Sequence, residues 1–155
     1  MKRLMFCLAL VGAAGAPTAG VADAKSGQGT MCVLHARMSA AQETTGSTSA
    51  AKGHTLIKVR KNGAIQFKTR INNKQRETFV AGHIHQAPPG VAGPIVVPLF
   101  VPPAAPTSAR HIKQSGTATP NPGTTGADLC QNPSAYYVNY HTTAFPGGAI
   151  RGQLH

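Results

Sequence analysis

The chain has 155 residues, with 15 Lys and Arg against 4 Asp and Glu and a formal net charge of +11 at pH 7. With 17 Gly, 12 Pro and 5% aromatics it is one domain's worth of chain, suited to turns and strands more than to helices. The scarcity of acids excludes paired-carboxylate catalysis, and the basic residues form no base-recognition motif, which argues against nucleic acid as a partner.

Lys2 and Arg3 precede an apolar run over residues 4–14, and a small-residue stretch ends in Ala22-Asp23-Ala24. This pattern predicts a cleaved secretory signal over residues 1–24 and a single domain over 25–155; a cut after Ala16 is the alternative. The run is too short for a stable membrane span, and no lipoprotein cysteine follows it, so no membrane anchor is expected. The expected location is secreted or periplasmic. There a basic domain would meet anionic envelope polymers or an extracellular protein. Cys32 and Cys130 are the cysteines left after cleavage. In an oxidising compartment they are most simply a disulfide, and their spacing has no metal-binding character.

Residues 32–41 predict a first strand with Cys32, Leu34, Ala36 and Met38 on one face and His35 and Arg37 on the other. Residues 42–52 read as a loop or irregular edge. Thr55–Arg60 and Ala64–Ile71 flank Lys61-Asn62-Gly63, a strong hairpin signal because Asn and Gly both tolerate positive φ. Residues 78–85 predict another strand, closed by the rigid Pro88–Pro94 loop. Residues 95–101 predict a strand in which Pro98 implies an edge or a bulge. Residues 102–133 read as a long excursion with one short strand near Arg110–Lys113 and a helical turn at Ala127–Leu129. Residues 136–142 and 149–154 predict a closing hairpin.

His83 and His85 are two apart and therefore share one face of their strand. His141 lies in the run Tyr136–His141, and if the two runs pair, three imidazoles converge. Imidazole is a common copper and zinc ligand, so His83, His85 and His141 are the candidate metal set. His111 and His35 are outside candidates for a fourth ligand. Tyr137 and Asn139 share the His141 face and are expected behind the ligands. Arg151, on the partner strand, would hold an anion or orient a ligand. Tyr136 and Tyr140 are expected in the core, and His54 in solvent. No acid is expected near the histidines. The competing reading makes the histidines structural, donating to backbone carbonyls that lock the Pro-Pro-Gly loop onto the closing hairpin.

Three blocks resemble the CHRD domain family, named for chordin. They are Met38-Ser39-Ala40-Ala41-Gln42-Glu43, then Ala81–His85 with Pro88–Val96, and Tyr137–Thr142 with Phe145–Leu154. Thr44-Thr45, Gln86 and Ala149 depart from the family pattern, the last replacing a usual acid. The resemblance implies an all-β, immunoglobulin-like Greek-key sandwich or barrel, distantly similar to Cu,Zn superoxide dismutase, which holds copper with a similar histidine pair and a later strand histidine. The functions to weigh are extracytoplasmic copper or zinc binding, a metal-free structural or protein-binding module, and a mononuclear dismutase-like oxidoreductase. A dinuclear site is disfavoured for want of acids and further histidines.

Overall fold

The computed structural model describes residues 29–101 and 104–155. The expected leader, residues 1–24, lies outside them. Among the described residues eight strands form: β1 (Thr30–Ser39), β2 (Lys52–Arg60), β3 (Ile65–Asn72), β4 (Phe79–Gln86), β5 (Ile95–Phe100), β6 (His111–Ala118), β7 (Tyr136–Thr142) and β8 (Ile150–Gln153). One short helix, α1 (Gly126–Gln131), precedes β7. The strands make one antiparallel sheet in the order β5-β4-β7-β8-β1-β2-β3-β6. The end strands β5 and β6 approach each other, so the sheet is a nearly closed, all-β Greek-key barrel.

Alternation explains most of the core. Leu34, Ala36 and Met38 of β1, Ile57 and Val59 of β2, and Ile65, Phe67 and Ile71 of β3 all point inward and are buried. The Asn62-Gly63 turn joins β2 to β3, with Gly63 at φ +83°, a value that favours glycine. Three hydroxyls inside are paired with one another. The Thr55 and Thr69 hydroxyls lie 2.8 Å apart, and the Tyr140 hydroxyl donates to Thr69 Oγ1 at 3.0 Å.

Proline sits where its missing N–H does least harm. β5 is an edge strand, and Pro98 pairs with His83 beside a break in register. Within the expected 102–133 excursion, the described residues 104–133 hold more regular structure than their composition suggests. β6 runs for eight residues and pairs with β3 from His111–Asn72 to Ala118–Ile65. Only Ile112 and Ala118 are buried apolar residues along β6, so the strand has little apolar periodicity to betray it. α1 opens with a capping box in which the Thr125 and Asp128 side chains each bond the other's backbone N–H. Cys130 on α1 is bonded to Cys32 on β1, fastening helix to barrel.

β7 departs from the pattern of the other strands: every residue in it is buried. Tyr136, Val138 and Tyr140 point into the barrel, as expected. Tyr137, Asn139 and His141 point outward and are buried because loops cover that face. Where β4 passes beneath the Tyr140 ring, a Cβ on Gly82 would lie 2.4 Å from Tyr140 Cε1, so only glycine fits at this crossing. That close approach draws together the two strands bearing the histidines.

Candidate metal centre

Strand register brings the histidines together. β4 and β7 are antiparallel, with His83 opposite Asn139, His85 opposite Tyr137 and Ala81 opposite His141. On β8, Arg151 follows next to Asn139 and Gln153 next to Tyr137. Two side-chain rows therefore cross the outer face: Arg151–Asn139–His83 and Gln153–Tyr137–His85. His141 sits one step along on the same face.

His83, His85 and His141 each offer a ring nitrogen such that all three atoms lie within 4.8 Å of one another. The three residues are only 8–9% exposed. His85 Nδ1 lies 2.9 Å from Gly93 O and His141 Nδ1 lies 2.9 Å from Pro146 O. A carbonyl only accepts, so both Nδ1 atoms carry the proton and both Nε2 atoms present a lone pair. His141 Nε2 is 3.2 Å from His83 Nδ1, about the separation of two nitrogens each ~2 Å from a common ion. His85 Nε2 is buried without a hydrogen-bond partner among the described residues. An orphaned lone pair facing two other imidazole nitrogens is the donor set a bound cation would satisfy.

The surroundings fix this geometry. The Tyr137 ring stacks on His85 with centroids 4.9 Å apart and planes 12° apart. Arg151 covers the other face of Tyr137, its Cζ 3.4 Å from the ring centroid. Its Nη1 donates to Val91 O and its Nη2 to Pro88 O, both at 2.8 Å. The tyrosine hydroxyl accepts from the Gly93 N–H at 3.2 Å. Arg151 is therefore 2% exposed and engaged with backbone carbonyls and the Tyr137 ring; of its two expected roles, this placement suits orienting a neighbour more than holding an anion.

Glu43 corrects an expectation. It arrives from the loop after β1, and its Oε1 accepts from Asn139 Nδ2 at 2.8 Å, one position from His83. Burial raises its pKa to about 7, against the opposing pull of Arg151 and a backbone hydrogen bond. An acid thus does stand beside the histidine blocks; only its sequence distance of 96 residues from Asn139 hid it. The two fourth-ligand candidates stand elsewhere. His111 lies on β6 opposite Asn72, and His35 Nδ1 lies 3.3 Å from His54 Nε2 on the outer face of β1 and β2. His54, expected in solvent alone, has that ring as its partner.

Burial first, then the neighbouring His141 and His85, lowers the His83 pKa to about 4. Burial also lowers His85 and His141, against their carbonyl hydrogen bonds. The cluster is consequently neutral and ligand-ready at physiological pH. A histidine whose folded pKa lies below its ordinary 6.5 contributes stability above that value and loses it as pH falls toward the folded pKa. Glu43 acts with the opposite sign, its contribution fading as pH rises from 4.5 to about 7. Comparing wild type with His83→Gln isolates the histidine. The metal-free wild type is expected to lose urea resistance relative to the variant between pH 6.5 and about 4. A pH-independent difference would show that His83 is not held neutral.

The family model for the CHRD domain matches residues 34–154. The chain belongs to the CHRD domain family. Searches of curated proteins and of solved structures find no match. The match runs from within β1 past the end of β8, so the histidine face of this CHRD domain lies wholly within the family region. Sequence reasoning named the three histidines, Tyr137, Asn139 and Arg151, and missed Glu43. The one available signal for Glu43 was its place in the first CHRD block.

Proposed function

We propose that this CHRD domain acts outside the cytoplasm and holds one transition-metal ion through His83 Nδ1, His85 Nε2 and His141 Nε2, copper before zinc. The observation that carries this reading is a cluster of three imidazoles that can each offer a ring nitrogen within 4.8 Å of the others, one of which, His85, has a buried Nε2 without a hydrogen-bond partner among the described residues. All-imidazole sets suit copper and zinc, and copper(II) binds nitrogen donors most tightly among first-row divalent ions. Copper so held would supply one-electron chemistry. Tyr137 and Arg151 would keep the His85 ring oriented, and Asn139 with Glu43 would form the polar wall beside His83. The Cys32–Cys130 bond and the leader-like residues 1–24 support export.

The carbonyl bonds of His85 and His141 support a second, structural reading, in which the imidazoles only pin the loops at Gly93 and Pro146. Titration of metal-free protein with Cu(II) and Zn(II) separates the two. His83→Ala, His85→Ala and His141→Ala are each expected to weaken binding by about 100-fold or more, since each removes a direct ligand. Wild-type affinity in all three variants leaves the structural reading standing.

A further inference from the structure

We propose that the outer face of β1, β2, β3 and β6 is a binding surface for an acidic polysaccharide. The proposal concerns a different part of the barrel from the histidine cluster and does not depend on a metal. Register aligns Arg37 with His54, His54 with Arg70, and Arg70 with Lys113. Four basic side chains thus stand in one row across four strands, spanning about 14 Å at the usual strand spacing of ~4.8 Å. Lys52 and Lys68 flank the row on its two sides. Arg37, Lys52, His54, Lys68, Arg70 and Lys113 are all exposed.

Arg70 and Lys113 stand directly opposite each other, and like charges so placed oppose strand pairing, which makes this part of the row costly without a counter-charge. No Asp or Glu side chain among the described residues supplies one on these strands. The acids among the described residues are Glu43, Glu77 and Asp128, engaged by Asn139, Ser49 and Thr125 respectively. None of the three belongs to β1, β2, β3 or β6.

The face is also hollowed. One depression is walled by Lys52, His54, Arg70 and Lys113, a second by Lys58 and Lys68, and a third by Arg37, Lys52 and His54. Cationic walls around a shallow trough focus the field on an extended anionic chain. Burial is the first cause that holds the His54 pKa below its ordinary value, and His35, Arg37, His155 and Arg70 add to it.

The chemistry favours a sugar polymer over nucleic acid. Phe67 of β3 points into the core and all three tyrosines lie on β7, so no Phe or Tyr stands on this face to stack a base. Carboxylates or sulfates spaced along a glycan need only charge and hydrogen bonding, which Lys and Arg provide.

The test is titration of the full chain with dextran sulfate and with polygalacturonate at several salt concentrations. Duplex DNA and phosphatidylglycerol vesicles serve as comparison probes. Affinity for at least one polysaccharide is expected to fall steeply with salt. The double variant Arg70→Gln/Lys113→Gln should weaken it about tenfold or more, and Lys52→Gln/Lys68→Gln provides a second pair on the same face. Lys61→Gln/Lys74→Gln removes equal charge from the hairpin tip and the β3–β4 connection and should change it less than about twofold. Equal losses in all three variants would mean that net charge alone binds. That result, no polysaccharide binding, or tighter binding of DNA or vesicles would overturn the proposal.

Discussion

Arg151→Ala is expected to cost about 3–5 kcal/mol of folding stability, among the largest effects of any single substitution here. The side chain is 2% exposed and donates to two loop carbonyls, Val91 O and Pro88 O. Each hydrogen bond lost from the charged guanidinium is worth about 1.5–3 kcal/mol. Loss of the guanidinium from the Tyr137 face adds about 1–2 kcal/mol. Arg151→Lys should recover only part of this, because an ammonium cannot reproduce the planar fork that reaches two carbonyls while lying on a ring. Urea denaturation gives the cost, and hydrogen exchange at Val91 and Gly93 shows whether the loop is released. A loss below about 1 kcal/mol would mean that the loop is held by other contacts, chiefly the Gln153 bond to Ala87 O.

Reduction of Cys32–Cys130 is expected to cost a similar amount, about 4–5 kcal/mol, by a different route. The bond closes a loop with a sequence separation of 98 residues. Opening it enlarges the unfolded ensemble, which the loop-entropy relation values at that level. There is a local effect as well. α1 buries Leu129 at 0% exposure, and without Cys130 the helix rests on that side chain and its capping box. Denaturant midpoints with and without reductant, and for Cys32→Ala/Cys130→Ala, give the figure. A loss under about 1 kcal/mol would show that the reduced chain is already restricted by residual structure.

How much the sequence revealed depended on whether an element's signal was local. The β2–β3 hairpin was legible because alternation and Asn62-Gly63 lie within twenty residues of each other. His83 and His85 were legible as a same-face pair, and His141 became their neighbour once β7 was expected to pair near β4. β6 was underestimated because its inward positions include Gln114 and Gly116, and pairing with β3 rather than apolar contact sets its length. Glu43 was missed because it sits in the loop after β1 while its partner Asn139 lies on β7, and loop paths are set by tertiary hydrogen bonds that leave no period in the chain. For the same reason nothing in residues 149–154 tells that Pro88 and Val91 will present carbonyls to Arg151.

The strand order has a consequence for how this molecule can change. β8 and β1 meet at one registered pair, Ser39 with Arg151, plus reciprocal backbone bonds between His35 and His155. That seam divides the barrel into two four-stranded leaves: β5-β4-β7-β8 bears the imidazoles, and β1-β2-β3-β6 bears the basic row. Substitutions on the outer surfaces of the two leaves share few partners, so their effects should nearly add. Changes to the imidazoles of one leaf should therefore leave the basic row of the other in place, and the reverse.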